Sequence, residues 1–317
     1  MMYSEQEARE RIIEACRRLV KQKLAARTWG NVSARITANQ FLITPSGRAY
    51  ETLKSEDLVK VQTADTDVWS GPYKPSSEKG VHAAVYRLHP DVGFVIHTHQ
   101  FYASAIAAAG KDTAFAPCAA YGLPGTKTLR TAVERSLEAN VGKNAFLMAR
   151  HGALCFGHDL ERAFRAAEDL ESSCEALFRL RVFAAEQAQP SMLGGAADGP
   201  VMLSVCDPYI LECAKGNRAL LPYLDDFAQM IGLRARIADD SPAAIARALH
   251  GRNAVLVRGR GALCTGENAD EAVAAAMIVS KNCAAALYAQ KSGPLSAADC
   301  ALQRVVYLKK YSRQKDA

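Results

Sequence analysis

The feature that most restricts how this chain can fold is a segment that occurs twice. NAFLMARHGALCFGHDLERAFRAA begins at Asn144, and NAVLVRGRGALCTGENADEAVAAA begins at Asn253. The first reads as an apolar strand, a turn, a second strand and a long amphipathic helix, and the second mirrors it. Upstream, VCDPYILECAKG from Val205 can be laid on THQFYASAIAAAG from Thr98 with a one-residue difference. The pattern reads as a first α/β domain followed by a partial duplicate of its second half. The alignment sets Ser204, Cys206 and Arg260 in the places of His97, His99 and His151. The duplicate has no counterpart of TWGNVS or PSSE.

A length of 317 residues suits one large domain or two ordinary ones. QAQPSMLGGAADGP is rich in Gly, Ala and Pro and has no periodicity, which marks a boundary. We therefore expect a first domain over 1–187, a linker over 188–200, and a degenerate, non-catalytic repeat over 201–317. Within the first domain, residues 4–26 read as a helix opened by a Ser4–Glu7 capping box. TWGNVSARI and FLITPSG each combine a turn with a short strand, and 60–78 is a polar stretch ending in KPSSE. A helix over 79–89, the strand GFVIHTHQ, helices in FYASAIAAAG and LRTAVERSLEAN, and a long helix over 159–187 complete the reading.

Composition excludes several classes. The net charge of +6 is mild and dispersed, with no basic run of the kind that follows a nucleic-acid backbone, although a basic surface can still attract an anionic substrate. The charged, amphipathic N-terminus lacks the apolar core of a signal peptide, and no run approaches a membrane span. Nine cysteines without a CxxC pair read as reduced, mostly buried thiols. The expected setting is cytoplasmic, with neither nucleic acid nor membrane as partner.

His97 and His99 stand at i and i+2 in an apolar strand, so both imidazoles project from one face. His151 ends another strand beside Gly152, which lets the backbone turn sharply there. Three histidines leave a fourth position open, as catalytic zinc sites do. Mn²⁺ or Co²⁺ would also accept these imidazoles. His82, His89, His158 and His250 have no partner at ligand spacing and read as surface or capping residues. Thr28–Ser33, Thr44–Gly47 and Ser76–Ser77 combine small hydroxyls with exposed backbone N–H groups, which suit either phosphate oxygens or plain turns.

In order, TWGNVSAR, ITPSG, KPSSE, HTH and RHGAL resemble the class II aldolase/adducin family over about residues 5–187. The resemblance implies a three-layer α/β/α fold with a mainly antiparallel central sheet, here followed by a smaller α/β domain resembling half of the first. It implies zinc on His97, His99 and His151, and a phosphate site from Thr28, Asn31, Thr44, Ser46, Gly47, Ser76 and Ser77. Glu78 would be the catalytic acid/base, its bland alternative being an exposed carboxylate at a helix N-terminus. A shortened stretch between Ala109 and Lys127 normally holds a tyrosine proton donor, for which Tyr121 is the nearest candidate.

The reaction implied is cleavage of a phosphorylated ketose to dihydroxyacetone phosphate and an aldehyde, through a metal-stabilised enediolate. Glu at position 78 matches the aldolases, while TWGNVSA is closer to the epimerase spelling. A sugar-phosphate 4-epimerase, a 3-oxo-acid phosphate decarboxylase and an adducin-like non-catalytic module are the alternatives. A homo-oligomer, commonly a tetramer, also follows from the resemblance.

Overall fold

Ser4 caps the first helix, α1 (Glu5–Lys21), by accepting from the Glu7 backbone N–H at 3.2 Å. The computed structural model describes residues 2–22, 24, 29–182, 191–192 and 201–311, in two units divided after Glu175. The first unit continues with β1 (Asn31–Thr37), β2 (Gln40–Ile43), β3 (Val59–Gln62), β4 (Trp69–Ser70) and α2 (Lys79–Leu88). Then come β5 (Phe94–Thr98), α3 (Phe101–Ala107), β6 (Cys118–Ala119), α4 (Lys127–Ala139), β7 (Ala145–Met148) and β8 (Gly152–Gly157). Helix α5 (Leu160–Arg181) carries the chain across the division.

The eight strands form one sheet in the order β4-β3-β2-β1-β5-β8-β7-β6. Every neighbouring pair is antiparallel except the parallel β6–β7. Period-2 alternation sorts the side chains into two cores. Val32, Ala34, Phe94 and Ile96 pack with α1 residues such as Ile12 and Leu19, and with Leu160 and Phe164 of α5. Phe41, Val59, Val61, Val95 and Phe156 pack on the opposite side with Val81 and Val85 of α2 and Leu129 and Val133 of α4. The result is the expected three-layer α/β/α arrangement. Each fully buried Val, Leu, Ile or Phe contributes about 1.5–3 kcal/mol, so both helical layers are held by burial more than by helix propensity.

Strand β1 departs from the usual half-polar strand because its polar face is covered too. Asn31 and Ser33 sit on the side that faces α2, and both are buried. Arg35 follows on the same face, where its guanidinium donates to the carbonyls of Val92 (2.8 Å), Tyr86 (2.7 Å) and His89 (3.0 Å). It thereby satisfies carbonyls at the C-terminal end of α2 that have no partner within the helix. The polar stretch 60–78, read from sequence without strands, overlaps β3 and contains β4; strands of four and two residues carry too little alternation to stand out.

The second unit, beginning at Ala176, repeats part of this topology. Its elements are β9 (Ser191–Met192), β10 (Val201–Val205), α6 (Pro208–Ala214), α7 (Asp225–Met230), β11 (Arg236–Ala238), α8 (Pro242–Leu249), β12 (Ala254–Val257), β13 (Gly261–Gly266), α9 (Ala269–Tyr288) and α10 (Ala297–Val306). The sheet order β11-β12-β13-β10-β9, with only β11–β12 parallel, follows β6-β7-β8-β5-β1 strand for strand. The registers agree as well: Thr98 faces Ala153 in the first unit, and Val205 faces Ala262 in the second. Ser191 and Met192, inside the stretch read as linker, form β9; the rest of that stretch lies outside the described residues. Among the described residues, no helix is long and apolar enough to cross a membrane.

Candidate active site

The middle of the first sheet brings three histidines together. His97 lies in β5 and His99 follows just after its end, with their Nε2 atoms 3.0 Å apart. His151 sits in the β7–β8 connection, where its N–H donates to the Met148 carbonyl at 3.0 Å. Arg150, immediately before it, takes a left-handed φ of 62°, uncommon for a residue with a β-carbon. That conformation swings the His151 ring against His97, with centroids 4.7 Å apart and planes 6° from parallel. All three rings are buried, and their ligand atoms lie within 4.8 Å of one another.

The hydrogen bonding around His97 suits a cation. Its Nδ1 donates to the Ala153 carbonyl at 2.8 Å, which leaves the Nε2 lone pair aimed at the other histidines. Burial pushes the His97 imidazole down to about 3, against the opposing pull of Glu78, so the ring is neutral. Three imidazoles sharing one small buried volume are the donor set of a borderline divalent ion.

Glu78 occupies the N-cap of α2 but makes no capping hydrogen bond. Its side chain turns inward, unlike the exposed carboxylate of the alternative reading, and is only 6% exposed. One oxygen, Oε1, lies 2.8 Å from His151 Nε2; the other, Oε2, lies 3.2 Å from His97 Nε2. Asn31 Nδ2 donates to Oε2 at 2.9 Å. Burial alone would raise the carboxyl, but the hydrogen bonds from the His151 ring and the Asn31 amide hold it well below its ordinary value. A carboxylate so placed can accept or return a proton beside whatever the histidines hold.

The polar loops pair through their backbones. Ser46 N–H donates to Lys74 carbonyl at 2.9 Å, and Ser76 N–H to Thr44 carbonyl at 3.1 Å. This sets the Thr44–Gly47 loop beside Ser76 and Ser77, which immediately precede Glu78. Thr44 and Ser76 are buried, and their hydroxyls accept from the backbone N–H groups of Val32 (3.3 Å) and Glu78 (3.2 Å). Gly47 has a φ of 75°, a turn that glycine takes without strain. Asn31 faces Glu78, and its neighbour Val32 is the residue bonded to Thr44. Thr28 lies outside the described residues. Tyr121, half-buried just past β6, lines a cleft of about 670 Å³ with Lys127, Thr131 and Arg135 of α4.

His82 is a residue the sequence reading misplaced. It is fully buried, with Nε2 2.5 Å from Asn31 Oδ1 and Nδ1 2.6 Å from Ser33 Oγ, which in turn lies 2.8 Å from the Tyr86 hydroxyl. The available signal was the spacing of Glu78, His82 and Tyr86, one helical face at i, i+4 and i+8. The other three histidines behave as read: His89 and His250 stand at helix C-caps, and His158 is exposed.

Comparison with known proteins bears on the same residues. The family model for the class II aldolase and adducin N-terminal domain matches residues 10–178 and again 201–287. A 5-deoxy-D-ribulose 1-phosphate aldolase of Bacillus thuringiensis is 33% identical over 189 residues, covering 56% of this chain and 86% of the relative. An L-ribulose-5-phosphate 4-epimerase, UlaF, of Salmonella paratyphi B is 33% identical over 188 residues, covering 52% and 82%. The crystal structure of YgbL from Klebsiella pneumoniae superposes with a TM-score of 0.50 at 27% identity, covering 56% of this chain and 91% of that one.

Proposed function

Because the chain belongs to the class II aldolase and adducin N-terminal domain family, whose enzymes among its relatives act on sugar phosphates, we propose that it is a metal-dependent aldolase. The reaction is cleavage of a phosphorylated ketose to dihydroxyacetone phosphate and an aldehyde. The observation that carries this reading is the ionised, buried Glu78 carboxylate aimed at the three histidines. His97, His99 and His151 would hold zinc, or Mn²⁺ or Co²⁺ in its place. When bound, such a cation polarises the ketose carbonyl and stabilises negative charge on the neighbouring oxygens.

In the synthetic direction Glu78 takes a proton from the hydroxymethyl carbon of dihydroxyacetone phosphate, and in cleavage it returns that proton to the same carbon. Thr44, Ser46, Gly47, Ser76 and Ser77 would bind the phosphate through hydroxyls and backbone N–H groups, with Thr28 and Asn31 completing the set named from sequence. Burial keeps water from competing for the abstracted proton. Tyr121 is the candidate for the proton on the aldehyde oxygen. A homo-oligomer is part of the same reading, and light scattering measures it.

Residues 201–317 are proposed to be non-catalytic. The β10–β13 register sets Ser204 and Cys206 where the first unit has His97 and His99, and Arg260 is an exposed residue paired with Asp240 at 3.1 Å.

The test is incubation of metal-loaded protein with dihydroxyacetone phosphate in D₂O, followed by NMR of its hydroxymethyl protons. Stereospecific exchange that is lost in His97→Ala and in Glu78→Gln supports the aldolase. The similarity to the 4-epimerase favours a second reading, in which the fragments recombine with inverted stereochemistry. Metal-loaded protein without exchange, and a stereoisomer as product from a ketopentose 5-phosphate, would establish that reading instead.

A further inference from the structure

We propose that His82 is a positioning residue that acts through Asn31 to fix the orientation of Glu78. The inference deepens the aldolase reading and rests on it for its kinetic consequence only. It starts from a row of buried polar side chains between β1 and α2: Tyr86, Ser33, His82, Asn31 and Glu78, each within 2.9 Å of the next.

The direction of every hydrogen bond in this row follows from its end. A carboxylate only accepts, so the Asn31 nitrogen faces Glu78 and the Asn31 oxygen faces His82. An amide oxygen also only accepts, so His82 donates from Nε2. A neutral imidazole with Nε2 protonated has an acceptor at Nδ1, and Ser33 donates its hydroxyl proton there. The Ser33 oxygen then accepts from the Tyr86 hydroxyl. All four donors point towards Glu78. The amide of Asn31 cannot flip without breaking two buried hydrogen bonds and leaving both partners unsatisfied.

The consequence is an asymmetric carboxylate. Oε2 is tied to Asn31, and Oε1 is turned towards His151 at 2.8 Å. Nothing else in the row needs a histidine: the i, i+4 spacing on α2 lets Glu78 and His82 reach the two ends of one Asn31 amide on the neighbouring strand. His82 itself touches none of the three histidines through a hydrogen bond in this row, so its effect on the reaction is indirect.

The experiment uses the full chain with ¹⁵N-labelled histidine. Long-range ¹H–¹⁵N correlation spectra, with His82 assigned from its absence in His82→Gln, should show a neutral ring protonated at Nε2 from pH 6 to 8. Asn31→Ala should shift the Nε2 resonance. A ring protonated at Nδ1, or one insensitive to Asn31→Ala, would overturn the proposal whether or not the protein is an aldolase. The second readout is deuterium exchange into dihydroxyacetone phosphate at equal metal content. His82→Phe should lower the maximal rate about 100-fold while the half-saturating concentration stays within about twofold, and His82→Gln, which keeps a donor and an acceptor, should recover most of the rate. Metal-loaded His82→Phe exchanging at the wild-type rate would also overturn it. If wild-type protein shows no exchange, the aldolase reading fails, and the tautomer spectrum alone decides the arrangement proposed here.

Discussion

Gly152 lies so close to Thr98 that a β-carbon on it would come within 2.2 Å of the Thr98 carbonyl oxygen and 3.3 Å of the His97 ring. The β5–β8 ladder and the first histidine therefore share one tight contact. Gly152→Ala must push the strands apart, at a cost of about 2–3 kcal/mol, and displace His97 in doing so. The expected result is a lower melting temperature together with loss of bound metal. The second unit supplies the control. Gly261 makes the same approach to the Val205 carbonyl, at 2.3 Å, so Gly261→Ala should destabilise that unit with the metal content unchanged. Parallel calorimetry and metal analysis of both variants check the pair.

Zinc titrated into metal-free protein should raise its thermal stability by about 2.7 kcal/mol at a hundredfold excess over the dissociation constant. His97→Ala and His151→Ala should abolish the shift, because each removes a ring that the other packs against. A full zinc shift in His97→Ala would remove this site as the place of binding.

Acid should unfold the metal-free protein through its buried imidazoles. Burial depresses His82 and His97 from an ordinary 6.5 to about 3. The unfolded chain therefore takes up protons first as the pH falls, so stability is fully present above pH 6.5 and is lost between 6.5 and about 3. Each histidine adds a slope of about 1.4 kcal/mol per pH unit across that window. Glu78, also depressed, adds to the loss below its ordinary value. Denaturant midpoints between pH 7 and 5 should show the slope, to which the depressed His89 adds a smaller share, and His82→Gln should reduce it. An unchanged slope in that variant would contradict a neutral, buried His82.

Arg35 tests the polar underside of β1. The residue is 4% exposed, and its guanidinium is hydrogen-bonded to three backbone carbonyls at 2.7–3.0 Å. Arg35→Met keeps the volume and strands those carbonyls in the interior, which should cost about 3 kcal/mol or more. Equilibrium unfolding measures it; a cost below about 1 kcal/mol would mean that water replaces the guanidinium.

The sequence announced what depends on local pattern. HTH on an apolar strand and RHG at a strand end carry their own geometry, and the structure gathers those three rings within 4.8 Å. The duplicated segments each read as a strand, a turn and a second strand, and in the structure their strands pair in matching registers. What escaped was decided by tertiary contact. His82 reads as an isolated helical histidine until β1 is laid beneath α2, because its partners Asn31 and Ser33 are about fifty residues away in the chain. The strands β3 and β4 are too short to declare themselves, and only pairing, β3 with β2 and β4 with β3, makes them strands.

The half-sheet of the second unit separates two kinds of information held in one backbone. It keeps strand order, register and the close glycine approach, while Ser204, Cys206 and Arg260 stand where the imidazoles would be. Its turn even has Gly259, at a φ of 70°, where the first unit strains Arg150. The frame is thus transferable apart from the chemistry it frames. Grafting Ser204→His, Cys206→His and Arg260→His asks whether three imidazoles added to this frame are enough to hold an ion, with the first unit titrated alongside.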